Sequence, residues 1–320
     1  VFHRNGKFNC TNVCGTLKAI DETKIDHLFV AYLLSTISKG HVSYVGNPKL
    51  MNGVMSKIPI SIPYSLKEQK KIASILSTID QTIDQTEQLI AKYKNIKQGL
   101  MHDLLTYGID ENGTIRNPQT HTFVEKKGMI VPEKWEVEEL SEHILLLNGG
   151  TPSTSNPDFW NGNIPWLSVD DFNTGKRFVY DANKKITEKG LKYSSTRLLV
   201  VNDIIISARG TVGVIAQLGK EMAFNQSCYG IRNDSKKIYA NDFIYFYLKF
   251  YFQSKGVIKT GSTFDTITKN TFDEIFISLP SKTEQQKIVS ILEQHDNLIE
   301  SEQTNLAKLQ NMKQGLMADL

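Results

Sequence analysis

Arg209 lies in the string ISARGTVG (206–213), at the end of an apolar run and beside a glycine. A guanidinium in that setting has two uses: a phosphate or guanine-edge contact, or a surface ion pair. Asn225-Gln226, in FNQS (224–227), carries the amides that pair with adenine edges; helix or turn capping is the other use. Gly149, Gly150, Thr151 and Ser153 form a loop that offers backbone N–H groups and hydroxyls to phosphate, or simply turns the chain. Lys259, Ser262 and Thr263 belong to a polar loop after an aromatic segment, and they offer the same groups. All of this is contact chemistry. None of it makes or breaks bonds.

Candidates for catalysis fail one by one. NPDF (156–159) has Asp158 where an amino-methyltransferase motif needs proline, and no glycine-rich cofactor loop precedes it. LGKE (218–221) lacks the first glycine of a phosphate loop, where Val214 stands, and has Glu221 in place of Ser or Thr. Cys10 and Cys14 have no second pair, which argues against structural zinc. His295 falls in a helix seam and reads as a packed residue, and Trp160 and Trp166 read as core or loop anchors. No Ser/His/Asp or Cys/His set and no metal set is expected.

The totals narrow the class. The 320 residues are 40% hydrophobic with a net charge of +3, enough for two ordinary domains and too nearly neutral to identify a nucleic-acid binder by bulk charge. Locally the balance shifts. Residues 1–62 hold seven Lys/Arg against three Asp/Glu, whereas 129–281 hold seventeen of each. No apolar run approaches the roughly 18–20 residues that span a bilayer, and no signal peptide is recognised at the first residues. Three cysteines point to a reducing, cytoplasmic setting. The first residue is Val, as in a fragment.

NIKQGLM (95–101) returns as NMKQGLM (311–317). Residues 66–104 lie over 282–320 without a gap, with about half the positions identical, Gln69/Gln285, Asp80/Asp296 and Ile83/Ile299 among them. The match extends upstream, where Ser38-Lys-Gly40 falls on Ser254-Lys-Gly256 and Phe8-Asn9 on Phe224-Asn225. Residues 1–62 therefore read as the second half of a domain whose full version is 129–281. A further front of roughly 85 residues would complete a tandem duplication.

Both repeated segments step four and three through apolar positions, a heptad seam. One seam runs Ile72, Leu76, Ile79, Ile83, Thr86, Ile90, Tyr93, Lys97, Leu100, Leu104; the other runs Ile288, Leu292, His295, Ile299, Glu302, Leu306, Leu309, Lys313, Leu316, Leu320. Each rod, roughly 58 Å long at 1.5 Å per residue, must bury its seam. Antiparallel pairing of the two rods is the expectation, against each rod packing on its own domain. Gly99 and Gly315 cost each helix about 1 kcal/mol. They predict close approach by the sister rod or by a partner subunit, with Leu100, Met101, Leu316 and Met317 beside them, or else fraying at a helix end.

Between the rods, 108–128 reads as an extended linker with a small hairpin at Asn112-Gly113. Residues 129–281 turn β-rich. Strands are expected at Ile144–Leu147, Pro165–Val169, Leu198–Ser207, Val212–Gln217 and Ile275–Leu279, with a turn at Asn161-Gly162 and an aromatic helix over Asp242–Ser254.

Several strings together resemble the target-recognition domains of type I restriction–modification specificity subunits: VPEKW (131–135), GGTPSTSNPDFWNGNIPWLSVDD (149–171), ITEKGLKYSS (186–195), ISARGTVG, FNQS and ISLPSKTEQQKIVSIL (277–292). The KQGLM helices resemble that family's central spacers. The resemblance implies an α+β chain in which loop-rich α/β recognition domains are joined by two long helices forming an antiparallel coiled coil. Residues 1–62 would be the C-terminal part of a first recognition domain, 63–107 the first spacer helix, 108–128 the linker, 129–281 the second recognition domain and 282–320 the second spacer. It adds Ser168, Asp170 and Thr211 to the candidate DNA contacts. It implies a subunit without a catalytic centre that reads a bipartite site on double-stranded DNA and recruits methylation subunits using S-adenosylmethionine and restriction subunits using ATP and magnesium. No cofactor is expected in this chain itself, and a chain carrying one complete recognition domain would have reason to form a homodimer. The alternative is a stand-alone methyltransferase or nuclease built on the same domain.

Overall fold

The structure is a computed structural model and describes residue 3 and residues 16–44, 49–255 and 266–320. It divides into two units, 1–95 with 297–320 and 96–296, so both boundaries fall inside the long helices.

In the first unit Asp26 caps α1 (His27–Ile37) by accepting from Phe29 N, which satisfies one of the helix's orphan N–H groups. A single turn, α2 (Asn52–Met55), follows, and then α3 (Leu66–Thr106). Phe29 and Leu33 of α1 pack on Ala73 and Ile72 of α3 and on Leu320. Tyr32 donates to Asp80 Oδ2 at 2.8 Å. No ladder forms among this unit's described residues beyond a Ser43–Lys49 bridge.

The second unit is mixed α and β. Its hairpin β1 (Phe123–Lys126) and β2 (Met129–Pro132) turns at Lys127 and Gly128, both at positive φ. The hairpin straddles the end of the expected 108–128 linker, because its short strands carry too little periodicity to declare themselves. The elements β3 (Glu136–Glu139), β4 (Ile144–Asn148), β5 (Trp160–Leu167), α4 (Val169–Phe172), β6 (Phe178–Val179), β7 (Lys184–Ile186), α5 (Glu188–Lys192), β8 (Leu198–Leu199), β9 (Ile204–Ser207), β10 (Ile215–Leu218), β11 (Met222–Phe224), β12 (Cys228–Asn233), α6 (Asn241–Ser254), α7 (Lys269–Asp273), β13 (Phe276–Leu279) and α8 (Lys282–Ala318) follow. One sheet has the order β4-β12-β9-β10-β6 and another β7-β5-β11-β8, while β13 pairs with β3.

β9 shows how the core is built. Its side chains alternate faces, so Ile204 and Ile206 join the core that contains the aromatic face of α6, and Ile205 joins a second core with Leu199, Leu218 and Phe224. The single strand expected over Leu198–Ser207 is broken. Asn202 takes positive φ, and the Asp203 carboxylate accepts from Val200 N at 2.9 Å, so β8 and β9 enter different sheets. Asn161-Gly162, expected as a turn, lies inside β5 at a register irregularity. A Cβ on Gly162 would stand 2.4 Å from Ile186 O, so glycine admits the neighbouring strand.

The repeat returns as bonding. Gln285, buried, accepts from Tyr239 N at 2.8 Å and donates to Lys237 O and Pro280 O. In the other unit Gln69, buried, accepts from Asp26 N at 2.8 Å and donates to Lys24 O and Pro63 O. Each glutamine satisfies one N–H and two carbonyls where chain enters a helix. Glu284 bonds Ile109 N, Arg116 and Trp135 Nε1, whereas its counterpart Glu68 is exposed.

Candidate nucleic-acid interface

Four loops meet at one edge of the second unit. β5 and β11 run parallel, with Leu167 beside Phe224, and the loops leaving them carry the candidates. Gly150 N donates to Phe224 O at 3.0 Å, Asn225 N to Leu167 O at 3.0 Å and Ala208 N to Ser227 O at 2.7 Å. Segments 149–151, 167–171, 207–211 and 224–227 are thereby stitched together. Gly149 is required there, because a Cβ would fall 1.9 Å from Asn225 O.

The stitching decides which groups are free. Gly150's N–H is used by Phe224 O and its carbonyl by Trp166 Nε1, so it positions the loop and presents no backbone donor to phosphate. Thr151 Oγ1 donates to Gln226 Oε1, leaving the Gln226 amide NH2 outward on an exposed residue. Ser153 is exposed, with its hydroxyl 2.8 Å from that of Ser155. Ser168 is an N-cap whose hydroxyl bonds Asp171, while Asp170 is exposed. Asn225 spends Oδ1 on Ser227 N in a local turn, the capping use. Thr211 is exposed and its carbonyl accepts from Ser207 Oγ.

Arg209 is exposed at this edge. No hydrogen bond or ion pair holds its side chain among the described residues, so the ion-pair use has no partner there. Arg197 went unnoticed in the sequence. It too is exposed and unpaired among the described residues, and it follows Thr196, whose hydroxyl donates to Phe224 O at 2.7 Å. Its signal was the polar string Ser194-Ser-Thr-Arg197. Lys259, Ser262 and Thr263 lie outside the described residues.

The helix candidates separate. Gly99 and Gly315 are exposed, and a Cβ on either meets nothing within 4 Å, which removes approach by the sister rod as the reason for glycine. Leu100 and Met317 are half-buried and Leu316 is exposed. Met101 is buried in the core of its own unit and offers no free surface.

The seam positions of α3 are all buried or half-buried, Thr86 and Lys97 included. Lys97 Nζ contacts Asp296 Oδ1 within the second unit, and Lys313 Nζ contacts Asp80 Oδ1 at 2.5 Å within the first. His295 is half-buried, with Nδ1 3.0 Å from Ile291 O. Burial pushes the Cys228 thiol up to about 12, which makes it a poor nucleophile. No described helix is long and apolar enough to cross a membrane.

The profile of the type I restriction modification DNA specificity domain matches residues 1–95 and 132–311. The MjaIX specificity subunit of Methanocaldococcus jannaschii is 31% identical over 175 residues, which are 53% of this chain and 40% of that protein. The EcoR124I/EcoR124II specificity subunit of Escherichia coli is 31% identical over 176 residues, 52% and 42% of the two chains. The chain thus spans less than half the length of these curated relatives. Among solved structures, the type I system S subunit of M. genitalium superposes with a TM-score of 0.58 at 16% identity, covering 93% of this chain and 73% of that one. The HsdS subunit of Thermoanaerobacter tengcongensis gives 0.51 at 16%, covering 92% and 70%. Matched over most of its length, this chain belongs to the family of type I restriction–modification DNA specificity domains.

Proposed function

We propose that this chain is a sequence-reading and scaffold subunit of a type I restriction–modification complex. In this reading the second unit recognises one part of a bipartite site on double-stranded DNA through the edge formed by 149–153, 168–170, 209–211 and 225–226. The observation that carries it is the convergence of those four loops around an exposed Arg209 that has no ion-pair partner among the described residues, the side chain suited to bidentate guanine readout or phosphate contact. Ser168 and Asn225 orient loops; Arg209, Gln226, Thr211 and Ser153 offer outward groups.

The long helices serve as the spacer, paired antiparallel. Two ion pairs support this. Lys97 lies seventeen residues after Asp80, and Lys313 seventeen after Asp296; Lys97 meets Asp296 and Lys313 meets Asp80. Equal steps taken in opposite directions are what one antiparallel register requires. The repeated outward positions, Ile96 with Gly99 and Met312 with Gly315, are exposed and suit two equivalent methylation subunits. Those subunits would bring S-adenosylmethionine, and restriction subunits ATP and magnesium, to DNA in the cytoplasm.

Methylome mapping of cells with and without the gene tests the reading. A two-part motif with a fixed gap, lost on deletion, is expected. An unchanged methylome in cells carrying the partner subunits refutes it, and methylation or cleavage by the purified chain alone selects the stand-alone enzyme.

A further inference from the structure

Away from the DNA edge, His143 closes the short 3-10 turn Leu140–Glu142 between β3 and β4. Its side chain is 6% exposed. Nδ1 lies 2.8 Å from Ser235 Oγ, and Ser235 Oγ also accepts from Lys237 N. Nε2 is buried and makes no hydrogen bond, although Glu138 Oε2 stands only 2.6 Å away. Glu142, exposed, completes the group, and one ligand atom from each of Glu138, Glu142 and His143 lies within 4.8 Å of the others.

We propose that Glu138, Glu142 and His143 bind a divalent first-row transition ion, Zn²⁺ being the reference case. With Nδ1–H donated to Ser235, the Nε2 lone pair faces the cluster, as it does in metal-bound imidazoles whose second nitrogen is held by an outer partner. An imidazole plus two carboxylates selects a transition ion over calcium or magnesium. Metal–ligand bonds of about 2.0–2.2 Å need the Nε2–Oε2 gap to open by about half an ångström, and the exposed Glu142 leaves room for water to fill the remaining positions.

The charge count favours a cation. Lys237 pairs with Glu138 through Oε1 and with Glu136, so Oε2 remains for the metal. Glu136 and Glu138 share that one ammonium, and Glu142 adds a third carboxylate beside Glu138. The ion would tie β3, the turn and the 233–237 loop together, so it is a stabilising ion in a place independent of DNA reading.

Chelator-treated full-length protein titrated with Co²⁺ and Zn²⁺ tests this by visible absorption, bound-metal analysis and thermal unfolding. One ion per chain, a Co²⁺ ligand-field spectrum and a higher Tm are expected. Glu142→Gln, on an exposed side chain, should weaken binding tenfold or more, Ser235→Ala 10–100-fold, and His143→Ala should abolish it. Absence of stoichiometric Co²⁺ or Zn²⁺ binding at submillimolar metal overturns the assignment. So does binding that a folded Glu142→Gln protein retains in full, because the metal then sits elsewhere.

Discussion

The ammonium of Lys97 rests against the carboxylate of Asp296, over the face of Phe246 at 5.4 Å from the ring centroid. Asp296 Oδ2 is buried without a hydrogen bond, so the pair's remaining lone pairs are poorly satisfied. Removing one partner leaves a buried charge, whereas removing both leaves an apolar gap. Lys97→Met alone should destabilise by about 3 kcal/mol, and Lys97→Met with Asp296→Leu should recover most of it. Urea unfolding checks this, and additive losses would mean the two side chains do not interact.

Burial, and then the Lys249 charge, holds Lys97 below the ordinary lysine value, and burial does the same to Lys249. A lysine whose folded-state pKa is depressed gives up its proton more readily in the native protein than in the unfolded chain. Its contribution is complete above the unfolded value of 10.5 and is lost as pH falls through the folded value. Stability should therefore climb as pH rises toward 10, the level above which raised tyrosines such as Tyr245, at about 12, begin to oppose it. Lys249→Met should flatten the climb in a pH series of denaturant melts; an equally steep variant would discard Lys249 as its source.

Gln285 satisfies Tyr239 N, Lys237 O and Pro280 O from a fully buried position. Gln285→Ala leaves all three without that partner and should cost about 2–3 kcal/mol. Gln69→Ala should cost a similar amount, because it breaks the same three bonds at the other copy. A loss below about 0.5 kcal/mol at both would show that water replaces the amides.

Arg209→Ala should weaken binding to the cognate site by about 1–3 kcal/mol and relax preference at one base position if the guanidinium is bidentate to guanine. If it holds phosphate, the loss is uniform across sequences and the salt slope falls by about one. Electrophoretic titration on specific and scrambled duplexes separates the two; unchanged affinity on both would exclude Arg209 from the interface.

Because a Cβ at Gly99 or Gly315 meets open space, Gly→Ala at each should add about 1 kcal/mol of helix stability. If methylation subunits seat on this face, the double variant melts higher yet assembles more weakly in co-purification. Full assembly of the stabilised protein, and of Ile96→Glu with Met312→Glu, would move that interface elsewhere.

The long helices were legible in the sequence because their chemistry repeats. A repeat of 39 residues, with its copy 216 positions away, carries a signal that local noise does not hide, and burial of the α3 seam follows it even through Thr86 and Lys97. Of the strands expected at Leu198–Ser207 and Val212–Gln217, the apolar parts form β9 (Ile204–Ser207) and β10 (Ile215–Leu218), because a run of β-branched residues declares itself locally. The β1–β2 hairpin, the break at Asn202 and the strand through Asn161-Gly162 were not legible, because positive φ and a bulge depend on which neighbour the chain meets. Residue types named the polar loops, yet only packing showed that Gly150 and Asn225 spend their groups inside the fold, that Met101 belongs to a core, and that Arg209 and Arg197 stay exposed and unpaired among the described residues. Composition and period fix what a segment must bury. Which donors and acceptors remain free is settled only when distant segments such as 149–151, 207–211 and 224–227 come within hydrogen-bond reach.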